Sequence, residues 1–289
     1  MLYVPGSSLK MLEKAVDLKS DAVILDLEDS VSISEKDAAR ELVATMLPMI
    51  KATGKEALVR INGMDTLWGY DDLKVIVPCK PDTIVLPKAS CRALYAADCL
   101  ITALEEKYNI EQQSIGIITL LETVEAILSS NDILGICKRV NGAQLGAEDL
   151  TKELGINRTE PGEEIRFARE MLIYAAKVHG VDAIDTPFTD IKNLIALKTD
   201  SEKAKNMGFS GKTCIHPSHI EFVNAAFTPT KEDVEYAKGI ITAMNEAILK
   251  GKGSCMYQNK MVDIPVANRA RKLVEKAEQI ARYQDIKND

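Results

Sequence analysis

The sequence predicts an α/β fold: a parallel (β/α)8 barrel of the TIM type with a C-terminal helical lid or exchange arm. Two observations carry the barrel and a third the arm. Short apolar runs alternate with amphipathic helical stretches eight times, the pattern of parallel strands joined by crossover helices. The 289 residues accommodate a barrel of roughly 250 residues as one unit. Beyond the eighth run lies a helical segment that a closed barrel does not need. An open doubly wound sheet also fits the strand count, but no G-x-G-x-x-G and no P-loop motif supports it.

In order, Leu2–Pro5 opens as a strand and meets the turn at Gly6, where Ser8 caps a helix over Leu9–Lys19. Ala22–Asp29 is the second strand, ending in Asp26, Glu28 and Asp29, and Ser34 caps a helix from Glu35 to Met49. Ala57–Asn62 is the third strand and Thr83–Lys88 the fourth, followed by a helix containing Leu94–Tyr108. Ile115–Thr123 and Ala143–Leu150 are the fifth and sixth; both are too short for independent helices, and both end in acid, at Glu122 and Asp149. A helix over Arg166–His179 leads to the seventh strand, Val181–Asp185, and a helix over Ala196–Met207 to the eighth, Lys212–His216. After residue 230 come a long helix, Lys231–Lys250, a Gly-opened segment, Gly251–Asp263, and a charged helix from Val266 to about Tyr283. We therefore divide the chain into a barrel at 1–230 and an extension at 231–289 that serves as a lid or subunit-exchange arm.

The totals exclude several classes. The chain is 46% hydrophobic and 27% charged, and its net charge of −7 is spread over both signs, ordinary for a globular protein. Without a basic block, nucleic acid is not an expected partner. No apolar run approaches the roughly 20 residues of a membrane helix. Met1–Gly6 lacks the basic and apolar regions of a signal peptide. The six cysteines include no C-x-x-C pair, so we read them as reduced thiols of a cytoplasmic protein, without redox or zinc function.

Barrels of this kind carry their active sites at the carboxyl ends of the strands. Glu122 and Asp149, at the ends of neighbouring parallel strands, repel each other unless a cation lies between them. Carboxylates with the remaining places left to water and substrate suit Mg²⁺. Two unrelated acids capping the helices that follow are the alternative, and the pair alone leaves these readings level. The other strand ends tip the balance: Asp26, Glu28, Asp29 and Asp185 add acids, Arg60, Lys88 and His216 add cations, and Asn62 adds an amide. Caps explain acids, but not an Arg, a Lys and a His among them. The set fits a metal with an anionic substrate, and chemistry beside a carbonyl through an enolate stabilised by metal and Arg60. Asp26, Glu28 and Asp29 are read as orienting water around the metal rather than binding it. Arg60 is read as a substrate anchor ahead of an ion pair with Asp26 or Glu28. Glu148 points away from Asp149 in a strand and is read as structural. A Schiff base at Lys88 is the rival mechanism. A phosphate-binding barrel isomerase and a non-catalytic assembly subunit are the rival functions.

Nine short motifs occur in order: Tyr3-Val-Pro-Gly, Leu25-Asp-Leu-Glu-Asp-Ser-Val, Arg60-Ile-Asn, Leu86-Pro-Lys, Leu121-Glu-Thr, Gly146-Ala-Glu-Asp, Gly208-Phe-Ser-Gly-Lys, Ile215-His-Pro and Lys260-Met-Val-Asp263. With these the chain resembles the citrate lyase β-subunit family, the citryl-CoA lyases, together with their citramalyl- and malyl-CoA lyase relatives. The resemblance implies a Mg²⁺-dependent TIM barrel, a homotrimer, that cleaves a carbon–carbon bond in a hydroxyacyl thioester of coenzyme A or acyl carrier protein, with other citrate lyase subunits as possible partners. By position, Glu122 and Asp149 would hold the metal, with Glu122 also bordering the substrate. Arg60 would hold the substrate's carboxylate or thioester oxygen. Tyr3, Lys10 and Lys14 would meet the nucleotide and phosphates, and Ile215 and His216 the thioester arm. Asp263 would be the acid/base group, brought by the tail from the same or a neighbouring subunit. Two departures bear on the coenzyme A contacts. The family's basic stretch before the first strand has no counterpart at Met1-Leu-Tyr, and its Asn-Gly-Lys-Met reads Gln258-Asn-Lys-Met.

Overall fold

The computed structural model describes residues 1–288. They form two compact units, Met1–Asn224 and a second beginning at Ala225. The first unit starts with β1 (Leu2–Pro5), α1 (Leu9–Asp17), β2 (Ala22–Asp26), α2 (Lys36–Ala52), β3 (Glu56–Arg60) and α3 (Leu67–Ile76). It continues with β4 (Thr83–Leu86), α4 (Cys91–Lys107), β5 (Gly116–Leu121), the short helices α5 (Val124–Leu128) and α6 (Ser130–Leu134), β6 (Val140–Leu145) and α7 (Ala147–Leu154). It closes with α8 (Arg166–His179), β7 (Asp182–Asp185), α9 (Leu194–Met207) and β8 (Gly211–Lys212), and α10 (Ile220–Phe227) crosses into the second unit.

The eight strands form one sheet in sequence order, each parallel to the next. Beyond β8, Cys214 bridges in parallel to Leu2, with Tyr3 N–H donating to Cys214 O at 2.9 Å and Cys214 N–H to Met1 O at 2.8 Å. The edges thus meet and the sheet curls on itself, the TIM-barrel-like α/β architecture that the alternating pattern predicts. The eighth strand is shorter than expected. Its register with β7 stops at Lys212, and His216 already caps the turn that begins at Pro217.

Strand side chains alternate between faces, and this parity decides what each strand end presents. Ala22, Ile24, Leu58, Val85, Ile118 and Leu120 pack into one buried cluster, with Met1 and Tyr3 against it. The alternate residues Val23, Leu25, Val59, Ile84 and Leu121 are also fully buried, on the face the helices cover. Burial of each such side chain contributes about 1.5–3 kcal/mol. Two residues beyond Ile24, Leu58 and Leu120 stand Asp26, Arg60 and Glu122, so these three share the inner face. Asp185 follows Ile184 and has the outer parity.

In the second unit, α11 (Lys231–Leu249) starts with a capping box in which Thr230 and Asp233 exchange bonds of 3.0 and 3.1 Å. The antiparallel strands β9 (Ser254–Tyr257) and β10 (Lys260–Asp263) follow, then α12 (Ile264–Asn288). Gln258 and Asn259 at the hairpin turn both have positive φ, 45° and 61°, as a tight two-residue turn matching the strand twist requires. The hairpin seats on α11 through Tyr257, whose ring lies 5.5 Å from that of Tyr236. A Cβ at Gly239 would overlap the Tyr257 hydroxyl, so a side chain at this helix position would displace the Tyr257 ring. Val262, Met244, Ile240 and Ala267 are buried together beneath it. No helix among the described residues is long and apolar enough to cross a membrane.

Candidate active site

Arg60 ends β3 inside the curl of the sheet. Its Nε and Nη2 donate to Asp26 Oδ1 and Oδ2 at 2.6 and 2.7 Å, a two-point ion pair with the neighbouring strand. Burial works against the charge on Asp26, yet Arg60's bonds and charge hold its carboxyl below the ordinary range. Arg60 Nη1 lies 2.9 Å from Glu28 Oε2, close in charge, although that buried oxygen accepts no hydrogen bond. Burial foremost pushes the Glu28 carboxyl up. The ion-pair alternative is therefore realised at Arg60, and the anchor reading applies to what its partners leave accessible.

Glu122 follows β5 directly and is 3% exposed. Its Oε1 accepts the Lys88 backbone N–H at 2.6 Å. Lys88 takes φ 45°, rare for a residue with a side chain, and Pro87 before it ends the strand; together they turn this N–H toward Glu122. On the other side Gly146 leaves room: a Cβ there would stand 2.7 Å from Glu122 Oε2. Burial, then the charge of Glu28, then that of Asp149 push the Glu122 carboxyl up to about 8, against the Lys88 hydrogen bond. The Lys88 ammonium is 3.5 Å from Glu28 Oε1. Burial opposes its charge, but Glu28, Glu122, Asp29 and Asp149 together raise its pKa.

Asp149 departs from the expected geometry. It is not at a strand tip: β6 stops at Leu145, Gly146 turns the chain, and Asp149 lies in the first turn of α7 beside Glu148. It still acts on Glu122 through charge. Glu148 pairs with Arg158 at 2.7 Å, in keeping with a structural role. Asp185 is a correction. On the outer face, its carboxylate takes Arg169 of α8 at 2.9 and 2.8 Å and Lys212 at 2.6 Å, and both cations also reach Asp200 of α9. Arg169, Lys212 and Asp185 are fully buried, and this balanced set of two acids and two bases ties strands to helices. Asn62 is structural too, its amide donating to Asp72 at 2.7 Å and to Leu27 O at 3.0 Å.

Tyr3 turns into the curl of the sheet. Its ring lies 5.0 Å from the Arg60 guanidinium carbon, and its hydroxyl bonds Gln144 of β6. Lys10 and Lys14 are exposed on α1, which begins at the carboxyl end of β1. Ile215 and His216 are exposed after β8, with His216 Nδ1 2.7 Å from Ser218 Oγ. The second histidine of His216-Pro-Ser-His219 is buried and bonded to Ile191 O. Asp263 ends β10, and its carboxylate accepts the Val266 N–H at 3.0 Å, capping α12. Gln144 escaped the sequence reading, although a lone amide in an apolar run at inward parity is a legible signal. Among the described residues, no group of three or more His, Cys, Asp or Glu is set to hold a metal.

An α/β sheet of eight parallel strands with an acid-rich mouth at their carboxyl ends defines the barrel-like class that carries its chemistry at that end. Within it, the model described as HpcH/HpaI aldolase/citrate lyase matches residues 1–217, and the chain belongs to that family. It is 37% identical over 280 residues to citrate lyase subunit beta of Haemophilus influenzae, covering 96% of each chain. It is 35% identical over 284 residues to a (3S)-malyl-CoA thioesterase of Cereibacter sphaeroides, covering 98% of this chain and 95% of that one. Among solved structures it resembles the CitE protein of Mycobacterium tuberculosis in complex with magnesium, acetoacetate and coenzyme A, with a TM-score of 0.78, 27% identity, and 96% and 97% of the two chains covered. The resemblance carried by the nine motifs is thereby borne out.

Proposed function

We propose that this chain is a Mg²⁺-dependent carbon–carbon lyase that cleaves a citryl thioester of coenzyme A or acyl carrier protein to oxaloacetate and an acetyl thioester. The observation that carries the reading is the uncompensated acid at the strand ends. Glu122 is pushed up to about 8 by burial and by Glu28 and Asp149, while Glu28 shares the Arg60 guanidinium with Asp26. Such a cluster fits a divalent cation. Mg²⁺ is commonly held by one or two carboxylates, with water and substrate completing its shell, so Glu122 and Asp149 suffice as its protein ligands. When bound, the ion supplies a Lewis acid for the hydroxyl and carboxylate of the oxo-acid portion.

The chain's own groups do the rest. As the carbon–carbon bond breaks, its electrons move to the thioester oxygen, and Arg60, oriented by Asp26, offers that oxygen fixed donors. Asp263, as the acid/base group, takes up the proton that the hydroxyl loses on becoming the oxo-acid carbonyl and returns it to the nascent acetyl carbon as the enolate collapses. Its hairpin acts as a lid, and we assign the group to the site of a neighbouring subunit in a homotrimer. Lys10 and Lys14 suit the phosphates of a coenzyme A arm, and Ile215 and His216 its thioester end. The six free cysteines fit a reducing, cytoplasmic compartment, with the enzyme either free or assembled with other citrate lyase subunits. The malyl-CoA thioesterase relative supports a second reading in which a malyl or citramalyl thioester is the substrate.

A panel of citryl, citramalyl and malyl thioesters, assayed for released oxo-acid with Mg²⁺ and with EDTA, tests both readings. Oxaloacetate from citryl-CoA, lost in EDTA, is the expected result; undiminished release in EDTA removes the metal from the reaction. Mixing Asp263→Ala chains with Asp149→Ala chains should restore part of the activity. No recovery in verified mixed oligomers rejects a lid shared between subunits.

A further inference from the structure

Carboxylates engage the Arg60 guanidinium at all three of its nitrogens. Asp26 takes Nε and Nη2, and Glu28 Oε2 lies 2.9 Å from Nη1. These contacts engage the rim of the group. The guanidinium carbon also stands over the Tyr3 ring, 5.0 Å from its centre, so the ring is a further contact that bears on how the group is oriented. A cation within about 6 Å of an aromatic face is attracted by the ring's quadrupole, most strongly where water is excluded.

The ring is fixed in turn at its far end. Its hydroxyl donates to Gln144 Oε1 at 3.1 Å and lies 2.9 Å from Nε2, which donates to it. This bond spans the interior from β1 to β6 and links residues 141 apart in sequence. It also reaches the metal half of the mouth, because Gln144 stands two residues before Gly146, whose missing side chain makes room for Glu122. Burial raises the Tyr3 pKa above its ordinary value, so the phenol stays neutral and serves as a fixed polar tether.

We propose that Tyr3, locked by Gln144, is the positioning residue that sets the tilt of the Arg60 guanidinium toward the reacting thioester oxygen. This rests on the lyase reading above. A guanidinium that tilts freely still meets a ground-state carbonyl through loosened bonds, but it meets developing charge less squarely. The loss therefore falls on kcat rather than KM.

Three variants separate the parts. Tyr3→Phe keeps the ring and removes the hydroxyl, Tyr3→Leu removes the ring, and Gln144→Leu removes the lock. Each folded protein is loaded with Mg²⁺ and measured twice. One readout is steady-state kinetics on citryl-CoA. The other, which needs no turnover, is rotational freedom of the Arg60 side chain, read as the order of its Nε–H bond by ¹⁵N NMR relaxation and assigned with Arg60→Lys. Tyr3→Leu should lower kcat about tenfold or more with KM within about twofold, and lower that order. Tyr3→Phe and Gln144→Leu should lower kcat only about threefold, a partial rescue that a merely structural role does not give. Unchanged order in Tyr3→Leu, or a loss confined to KM, overturns the proposal. If Tyr3→Leu fails to fold, unchanged order in both milder variants overturns it. A wild-type protein inactive on every thioester removes the lyase reading instead, and the order of the Nε–H bond alone then decides the role of Tyr3.

Discussion

Two buried charge clusters lie on opposite faces of the same sheet. The outer one sets Asp185 and Asp200 against Arg169 and Lys212, two charges of each sign, all within 2.9 Å of a partner. The inner one sets Asp26, Glu28 and Glu122, with Asp149 and Asp29 at its rim, against Arg60 and Lys88. The consequence shows in titration. In the outer cluster burial penalises Asp200, but Lys212 and Arg169 hold its carboxyl below the ordinary range. In the inner cluster Arg60 holds Asp26 down, but at Glu122 burial and the neighbouring acids outweigh the Lys88 hydrogen bond and Arg60, and its carboxyl is pushed up to about 8. Burial by itself therefore does not mark a site; a shortage of positive charge does. The outer cluster has equal charges of each sign, whereas the inner one has acid in excess and suits a cation.

Breaking each cluster should give opposite phenotypes. Asp149→Ala should reduce Mg²⁺-dependent lyase activity about a thousandfold or more, the equivalent of several kcal/mol, with the fold intact. Calorimetry of Mg²⁺ binding, with melting as the control, checks this, and retained binding would show the cation to lie elsewhere. Asp185→Ala should do the reverse and destabilise by about 3–5 kcal/mol, because it strands buried Arg169 and Lys212. Chemical denaturation measures this. A loss under about 1 kcal/mol would mean that Asp200 alone suffices, and the contrast between the clusters would fail.

The smallest effect is a slope with pH. Glu122 titrates at about 8 in the folded protein against an ordinary 4.5, so without metal the folded chain holds this proton more tightly than the unfolded chain does. Its contribution to stability is full below about 4.5 and is lost as pH rises toward about 8. Asp200 has the opposite sign: its contribution is present above the ordinary 3.8 and fades as pH falls through its lower folded value. Melting curves in EDTA from pH 5 to 8 should therefore decline with pH more steeply than in saturating Mg²⁺, which favours the ionised carboxylate. Parallel curves would separate Glu122 from the cation.

Much of this was legible in the chain itself. Apolar runs alternating with helices dictate the parallel sheet, and parity places Asp26, Arg60 and Glu122 on one face, because each follows an inward residue by two. The same rule explains the error at Asp185. It lies at a strand end like the others, but a shift of one residue reverses the face, and its partners Arg169 and Asp200 sit on helices with no local signal. Asp149 was assigned to a strand although Gly146 followed by Ala-Glu-Asp reads equally as a helix start with acids in the first turn. The Tyr3–Gln144 bond joins residues too far apart for any pattern to connect; only closure of the sheet brings them together.

Gly239 leaves room for the Tyr257 hydroxyl, and the hairpin bearing Asp263 is consequently shaped before any ligand arrives. Its strands, its turn and the first turn of α12 are ordered once, during folding. A loop of that length that became ordered at each substrate encounter would lose about 1 kcal/mol or more of backbone entropy per residue, and apparent affinity would weaken accordingly. A side chain at position 239 would have to push the Tyr257 ring aside, so a Gly239→Ala chain should keep its fold yet exchange the backbone amides of Ser254–Asp263 faster.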